Sequence, residues 1–309
     1  MIDSLRNHRD RAFGREFSGL PQNVRGILAM LGAMAFFSFG DAMMKLASAR
    51  FPLGESILVR GIISMAIIWA IAFRGDTLKD VHLLRKPYLY VRTLSDVAAS
   101  FFFISALGRL PLADASAIMQ TNPLAVTAGA AIFLGERIGW RRWTATGIGL
   151  VGVLMIIQPG SSTFAWASFL VIGAVLASAA RDIVTRHLTG MPILLITAAA
   201  VSATTIFSIA LLPFETWIRP RALDLLVLAI SGSCIMLGQA LVVVSIRSGD
   251  VSAVVPFRYS AIVWSLLLSF LIWHHLPNAM TFAGIVVVSG AGLYTFYREE
   301  TLKQRVAPA

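Results

Sequence analysis

Charged side chains recur at helical spacing inside long apolar runs of this sequence. Asp41 is followed four residues later by Lys45, and Asp182 is followed four residues later by Arg186. At that spacing the two side chains of each pair lie on one face of a helix. A charge deep in a bilayer costs about 2.5–3.5 kcal/mol on insertion scales, so opposite charges are expected in pairs. We interpret Asp41 and Asp182 as candidate substrate-binding groups and the basic partners as anchors of helix ends.

Other polar residues interrupt two further apolar runs. Arg92 and Asp96 again share a helix face, and Asp96 either lines a ligand cavity or pairs with a cation of another helix. Gln120 and Asn122 stand directly before Pro123, which removes a backbone hydrogen bond. The freed carbonyl must be satisfied within protein or at a water-filled cavity. The two amides therefore either line a cavity or join neighbouring helices.

Arg258 is the most informative charge, because an unpaired guanidinium at its depth in a bilayer is unfavourable. It is expected to meet either a carboxylate or an acidic or polar group of a substrate. The candidate carboxylates are Asp41, Asp96 and Asp182. The nearby rings of Tyr259 and Trp264 either stack on a flat substrate or only pack. Gln239 is a further candidate for substrate binding.

The composition indicates that lipid surrounds the chain. Of its 309 residues, 57% are hydrophobic and 14% are charged, and the mean hydropathy is +0.76. A soluble protein of this size could not bury so much apolar surface. The net charge of +10 is typical of cytoplasmic loops in a membrane protein, so no nucleic-acid partner is expected. The single cysteine, Cys234, excludes an intramolecular disulfide and a cysteine metal site.

Ten apolar segments are long enough to cross a hydrocarbon core of about 30 Å. The sequence therefore predicts an all-α integral membrane protein with ten transmembrane helices. The predicted spans are 26–48, 55–73, 88–108, 112–134, 141–158, 164–187, 192–212, 222–246, 251–273 and 278–297. The first span is too long for the apolar region of a signal peptide, so we expect it to remain in the protein.

The distribution of basic residues predicts the orientation of these spans. With the amino terminus inside, 17 Lys and Arg residues fall in inside segments and 4 in outside segments. Such a bias is typical of a multi-pass protein of the bacterial inner membrane with both termini in the cytoplasm. The basic segment 1–25 and the tail 298–309 are then both cytoplasmic.

The second half of the sequence repeats features of the first. The two acid–base pairs lie 141 residues apart, and Gly-rich segments at 147–152 and 284–292 close the two halves. The spans divide into repeats of five at 26–158 and 164–297, and an odd number of crossings inverts the second repeat. Inverted repeats are typical of secondary transporters, with the site near the midplane. The glycines suit close helix contacts, within one chain or between the protomers of a homodimer.

Two local motifs carry a resemblance to a known family. The first runs from Ala115-Ser116-Ala117 to Pro123, and is followed by Phe133-Leu134-Gly135-Glu136-Arg137 and Trp143. The second comprises Val251-Ser252-Ala253 and Pro256-Phe257-Arg258-Tyr259. Over about residues 25–297 the chain resembles the EamA-type branch of the drug/metabolite transporter superfamily. His274 stands where the second repeat of that family usually has an acid.

The resemblance implies alternating-access transport of a small organic metabolite through a lipid bilayer. The overall pattern is most similar to vitamin and cofactor uptake members, with riboflavin as the first substrate hypothesis and S-adenosylmethionine as another. The alternative is an exporter of amino acids or related metabolites, and an intramembrane enzyme carries less weight. No metal motif, nucleophile elbow, phosphate loop or dinucleotide fingerprint stands in the sequence, so neither an enzyme nor a cofactor is expected.

Overall fold

A computed structural model describes residues 21–74, 82–135, 139–159, 165–185, 187–188, 190–248 and 251–306. We number its twelve helices in chain order. They are α1 (Gln22–Ser48), α2 (Leu53–Arg74), α3 (Pro87–Leu107), α4 (Leu112–Met119), α5 (Asn122–Leu134), α6 (Trp140–Ile157), α7 (Ser168–Thr185), α8 (Ile193–Leu211), α9 (Ala222–Ser248), α10 (Val251–Val254), α11 (Ser260–Trp273) and α12 (Ala279–Val306).

The prediction of a ten-helix membrane protein is confirmed. Within the described residues, nine helical segments are long and apolar enough to span a bilayer, and Trp143–Ile157 is a shorter apolar helix. The spans agree with those predicted from hydropathy to within a few residues. The fourth span consists of α4 and α5, and the ninth consists of α10, a 3-10 turn at Val255–Tyr259 and α11.

Both composite spans break beside a proline. In the fourth span, Gln120 and Thr121 separate α4 from α5, and Pro123 lies in the first turn of α5. In the ninth span, Pro256 occupies the start of the 3-10 turn. Because proline has no N–H to donate, the helix cannot continue its hydrogen-bond ladder through it. Each break exposes backbone polar groups inside the bundle.

The helices alternate in direction, so their ends form two faces. We call the face at which α1 begins the Gln22 end and the opposite face the Ser48 end. At the Ser48 end, Gly54 N–H donates to both carboxylate oxygens of Glu215 at 3.0 and 2.9 Å, and Arg50 pairs with Asp224 at 3.1 Å. At the Gln22 end, Tyr88 stacks on His187. Contacts between helix ends therefore join neighbouring helices at both faces of the bundle.

The helix packing has an approximate two-fold relation. The most extensive pairs are α1 with α9, α3 with α7, α2 with α8, and α6 with α12. In terms of spans, these are the pairs 1–8, 3–6, 2–7 and 5–10. If each span is replaced by its equivalent in the other half, five spans away, pair 1–8 becomes pair 6–3, and the pairs 2–7 and 5–10 are unchanged. Because five crossings separate equivalent spans, the two halves run in opposite directions.

The largest hydrophobic core lies in the half of the bundle nearer the Ser48 end. It is built from the ends of α1, α3 and α6 and the starts of α2, α4, α7 and α12. Its fully buried members include Met44, Ile57, Leu107, Leu112 and Val171. Smaller clusters occupy the other half, around Leu195 and around Met30. The Ser48 half therefore contains the largest packed core of the bundle.

Glycine allows α6 and α12 to pack at backbone distance. A Cβ atom at Gly284 would lie 2.7 Å from the carbonyl oxygen of Gly152, and one at Gly152 would lie 3.0 Å from the carbonyl oxygen of Gly284. Small residues let helices approach closely in lipid, where no hydrophobic effect drives their association. These two glycines thus serve a contact within the chain, whereas Gly147 and Gly290 face open space. A homodimer through the latter positions stays a prediction.

We predict that Gly284→Ala lowers the thermal unfolding midpoint by several degrees, because the new methyl group must push α6 away. Gly290→Ala in the same helix is the matched control. It meets nothing within 4 Å and should leave the midpoint unchanged or slightly raised, since alanine favours helix by about 1 kcal/mol. The buried thiol of Cys234 reports unfolding when it becomes reactive to a fluorescent maleimide. Equal midpoints for the two variants would contradict the close contact.

Candidate functional site

A cavity of about 360 Å³ lies in the half of the bundle nearer the Gln22 end. Its walls come from the break between α4 and α5, the last turns of α7, the 3-10 turn before α11, and the last turns of the apolar part of α12. Five residues predicted from the sequence line it: Gln120, Asn122, Asp182, Arg258 and Tyr259. Both proline-associated breaks therefore open onto the same space. Unwound backbone beside a cavity is the usual form of a transporter binding site.

A chain of opposite charges forms one wall of the cavity and extends behind it. Arg181 of α7 donates to Asp96 of α3 at 3.0 Å and, through Nε, to its own neighbour Asp182 at 2.9 Å. Arg92 binds the second oxygen of Asp96 at 2.7 Å, and the Asn122 amide donates to the second oxygen of Asp182 at 2.8 Å. Two cations and two anions balance, so the network can lie within the bilayer.

This network adds partners that helical spacing did not predict. Asp182 accepts from Arg181 and Asn122, whereas Arg186 lies outside the described residues, so its pairing with Asp182 stays a prediction. Of the two alternatives for Asp96, pairing with a cation of another helix is the one observed. Arg181 was not among the residues selected from the sequence. The only signal for it was its place beside Asp182 in an apolar run, and such adjacency indicates no partner on α3.

Arg258 differs from the other cations of the cavity. Its carbonyl accepts a hydrogen bond from Gln120 Nε2 at 2.9 Å, while its side chain is exposed to the cavity. The expected ion pair is missing: no carboxylate of the described residues lies within 4.0 Å of its guanidinium, because Arg181 and Arg92 occupy Asp96 and Arg181 occupies Asp182. The other alternative, in which Arg258 meets an acidic or polar group of a substrate, is compatible with this geometry.

Two polar atoms at the cavity are buried and have no partner in the described part of the chain. They are the hydroxyl of Tyr259 and Oδ1 of Asn122. The Tyr259 hydroxyl sits where a Cβ atom at position 292 would be, so Gly292 makes room for it. Burying such groups without a hydrogen bond costs about 1–3 kcal/mol each. The cavity thus presents a guanidinium and a hydroxyl that donate, and an amide oxygen that accepts.

The remaining predicted residues lie outside this cavity. Asp96 stands behind it as a partner of Arg181. Asp41 lies in the middle of α1, where Arg60 of α2 is the charge that acts on it. Gln239 is exposed on α9, and Trp264 packs against the cluster around Met30. Asp96 is connected to the cavity through Arg181, which lines it.

Lys45 closes the opposite half of the bundle. Its ammonium donates to the carbonyl oxygen of Leu107 at 2.6 Å and to that of Leu110, and it lies 5.5 Å from the ring centre of Trp273. These contacts join α1 to the α3–α4 connection and to α11. The carboxylate that acts on Lys45 is Asp114 of α4, not Asp41 as the spacing suggested. Lys45 is thus an anchor at a helix end, and we call its contacts the Ser48-end seal.

These features define a class of protein: a multi-pass membrane protein with a polar cavity that is lined by two broken helices and closed toward the Ser48 end. The sequence profile of the EamA-like transporter family matches residues 24–158 and 165–297. The chain belongs to this family. Its members and the relatives described below are transporters, and no relative among them is an enzyme.

Three relatives show what similar chains transport. An S-adenosylmethionine uptake transporter of Rickettsia bellii is 26% identical over 284 residues, covering 89% of this chain and 94% of the relative. The pseudopaline exporter CntI of Pseudomonas aeruginosa is 30% identical over 274 residues, covering 85% and 93%. A riboflavin transporter of Rhizobium johnstonii is 26% identical over 210 residues, covering 66% and 67%. Both directions of transport occur among them.

One solved crystal structure has the same fold. It superposes with a TM-score of 0.59 at 20% sequence identity, and the match covers 92% of this chain and 99% of that one. At this identity the likeness concerns the fold alone.

We predict that Arg181→Gln destabilises the protein by about 1–3 kcal/mol, because it leaves Asp182 with only Asn122 and Asp96 with only Arg92. The double variant Arg181→Gln with Asp182→Asn restores charge balance and should recover a large part of that loss. The four proteins form a double-mutant cycle, measured through the reactivity of Cys234 on heating. Strictly additive losses would mean that the two side chains do not interact.

We predict that Lys45→Met loosens the Ser48-end seal. The variant loses two charged hydrogen bonds, each worth about 1.5–3 kcal/mol. Amide hydrogen exchange within residues 107–118 should become at least tenfold faster, as measured by mass spectrometry. Lys86→Met, at the Gln22 end, is the control and should leave exchange in this segment unchanged. Unaltered exchange in Lys45→Met would show that the seal does not depend on Lys45.

Proposed function

We propose that this protein is a secondary transporter that moves a small organic metabolite across the bacterial inner membrane by alternating access, with uptake of a vitamin or cofactor as its role. The observation that carries the proposal is the asymmetry of the bundle. Both broken spans open onto a polar cavity in the Gln22 half, and a packed core together with the Lys45 contacts separates this cavity from the Ser48 end. Such an arrangement fits one of the two states of an alternating-access cycle.

We take the Gln22 end as cytoplasmic, so that the cavity is open toward the cytoplasm. The support is the bias of 17 basic residues to 4 between the two sides. Both termini are then inside. Since the sequence contains no phosphate loop, we assign the driving force to a gradient of an ion or a solute and not to a nucleotide.

The chemistry of the cavity favours a substrate with an acidic group. Arg258 offers a guanidinium with no carboxylate partner in the described chain, and the Tyr259 hydroxyl provides a second donor. A carboxylate can accept from both, and hydrogen bonds to a charged group are worth about 1.5–3 kcal/mol. On the other side, Asn122 Oδ1 and the 34% exposed side chain of Asp182 can accept from an N–H group of the substrate.

Two compounds named for relatives are the first to test. A volume of about 360 Å³ lies within the range of roughly 300–1,000 Å³ typical of sites for small molecules. S-adenosylmethionine carries a carboxylate and an ammonium group beside a planar ring, and so it matches both sides of the cavity. Riboflavin, the first hypothesis from the sequence, carries a planar ring without charge. Because Arg258 has no carboxylate partner among the described residues, we propose to test the charged compound first.

Export is the second candidate direction. The observation in its favour is the 30% identity to a pseudopaline exporter over 85% of the chain. An exporter should protect cells from a toxic analogue and deplete that analogue when overexpressed. An importer should instead allow cells without their own synthesis of the compound to grow on a low external supply.

The substrate class is tested by a thermal-shift panel on the purified protein. A compound that binds only the folded state raises the midpoint, by about 2.7 kcal/mol of stability at a concentration of 100 times its Kd. The panel contains S-adenosylmethionine, riboflavin, nucleosides and amino acids. We expect stabilisation by carboxylate-bearing members, and by S-adenosylmethionine before riboflavin. Stabilisation by neutral nucleosides alone would contradict the proposed role of Arg258.

We predict that Arg258→Ala lowers transport of the stabilising compound roughly 10- to 100-fold, which corresponds to the loss of one charged hydrogen-bonding partner. Transport is measured as uptake of the radiolabelled compound into proteoliposomes, at equal protein content. Arg85→Ala is the matched control, since Arg85 is an exposed arginine at the Gln22 end that does not line the cavity. Normal uptake by Arg258→Ala would remove Arg258 from the site.

A further inference from the structure

A second and larger cavity, of about 540 Å³, lies at the Ser48 end. The ends of α1, α3 and α8 and the starts of α2 and α7 surround it. It shares no lining residue with the polar cavity at the Gln22 end. Nothing in the proposed transport cycle so far uses this pocket, which we call the Ser48-end pocket.

Among the described residues, the pocket is lined by one basic residue, Arg109, and one acidic residue, Glu215. Arg109 is exposed, and its guanidinium donates to the carbonyl oxygen of Ser105 at 3.3 Å. No carboxylate of the described residues lies within 4.0 Å of it. Glu215 lines the same pocket, but both of its oxygens accept from Gly54 N–H. Arg50, a neighbouring arginine in the α1–α2 connection, is paired with Asp224.

Further groups in the pocket indicate a ligand with a ring. The hydroxyl of Ser105 is buried and has no partner in the described part of the chain. The rings of Phe51, Phe101 and Phe214 line the apolar side. A guanidinium and a hydroxyl next to aromatic faces suit an acidic group attached to a planar ring. This is the same chemistry that Arg258 and Tyr259 present in the other cavity.

The pocket adjoins the Ser48-end seal. Ser48 lines the pocket one turn after Lys45 on α1, and its hydroxyl donates to the carbonyl oxygen of Lys45 at 2.8 Å. Gly108 and Arg109 directly follow Leu107, whose carbonyl oxygen Lys45 binds. A ligand on Arg109 would therefore contact both segments that the seal joins.

We propose that the Ser48-end pocket is a second binding site for the transported metabolite, in which Arg109 binds the acidic group on the periplasmic side of the closed seal. This inference rests on the proposed function for the identity of the ligand. The site itself is defined by anion and ring recognition at the Ser48 end, and it can be measured without any transport. The ligand held here lies within about one helical turn of Lys45, where the opening of the seal would admit it to the bundle.

The test measures anion binding directly beside Arg109. Gly108→Cys, at an exposed position that lines the pocket and has room for a side chain, is labelled in a Cys234→Ser background with a sulfonated aromatic maleimide, in nanodiscs of neutral phosphatidylcholine. We expect a labelling rate that saturates with reagent concentration, which shows reversible binding before reaction. Adding Arg109→Gln should make the rate linear in concentration and at least tenfold slower. The matched control is Arg219→Gln, an exposed arginine at the same end that does not line the pocket.

Two results would overturn the proposal. Equal, unsaturated labelling with and without Arg109 would mean that the pocket holds no anion site. Saturable labelling that disappears when the nanodiscs contain anionic phosphatidylglycerol would mean that a lipid headgroup occupies the site. Neither result depends on flux, so a failure of the proposed transport function would appear separately, in the proteoliposome assay with the Arg258 variants.

Discussion

The double ion pair of Arg181 organises the cavity half of this protein. Its guanidinium holds Asp96 of α3 and Asp182 of α7 at once, and the second oxygen of Asp182 reaches across to Asn122 at the broken fourth span. In lipid, removing any one charge leaves another without compensation. Three spans are thereby fixed relative to one another. Because Asp96 and Asp182 are already paired, Arg258 faces the cavity without a carboxylate partner among the described residues.

The two-fold relation between the halves shows that this ion-pair network occurs at only one of two equivalent interfaces in the described part of the chain. The pair α3 with α7 is equivalent to the pair α1 with α9. Gly40 precedes Asp41 where Arg181 precedes Asp182, and a Cβ at Gly40 would lie 3.2 Å from Cys234 Cβ. Ser231 of α9 also donates to the carbonyl oxygen of Gly40 at 2.7 Å, so this interface is closed by small residues and the equivalent one by ion pairs. The two equivalent interfaces therefore differ in character: α1 packs tightly on α9, whereas α3 and α7 are joined by polar contacts.

Hydropathy predicted the fold well because the bilayer acts on each segment separately: a span needs only enough apolar length. The ion pairs were harder to predict from the sequence. Spacing of four residues correctly placed Arg92 with Asp96, but it joined Asp41 to Lys45, whereas Lys45 binds carbonyl oxygens at the end of α3. A local rule reports which side chains share a helix face and not which neighbouring helix offers a better partner. Arg181 and Asp96, 85 residues apart, show what such a rule leaves out.

The two ends of the bundle also differ in how they could change. At the Ser48 end the closure combines apolar packing with a single ammonium on two carbonyl oxygens, so moving α1 away from the α3–α4 connection exposes a charge to water, where it is readily solvated. At the Gln22 end the ion-pair network holds α3 and α7 together with the cavity already formed. In the transport cycle that we propose, a substrate that neutralises Arg258 would remove the charge that resists closure of that cavity over a dry interior. The proposal thus links binding to closure at the Gln22 end through Arg258, and it gives Lys45 the corresponding part at the Ser48 end.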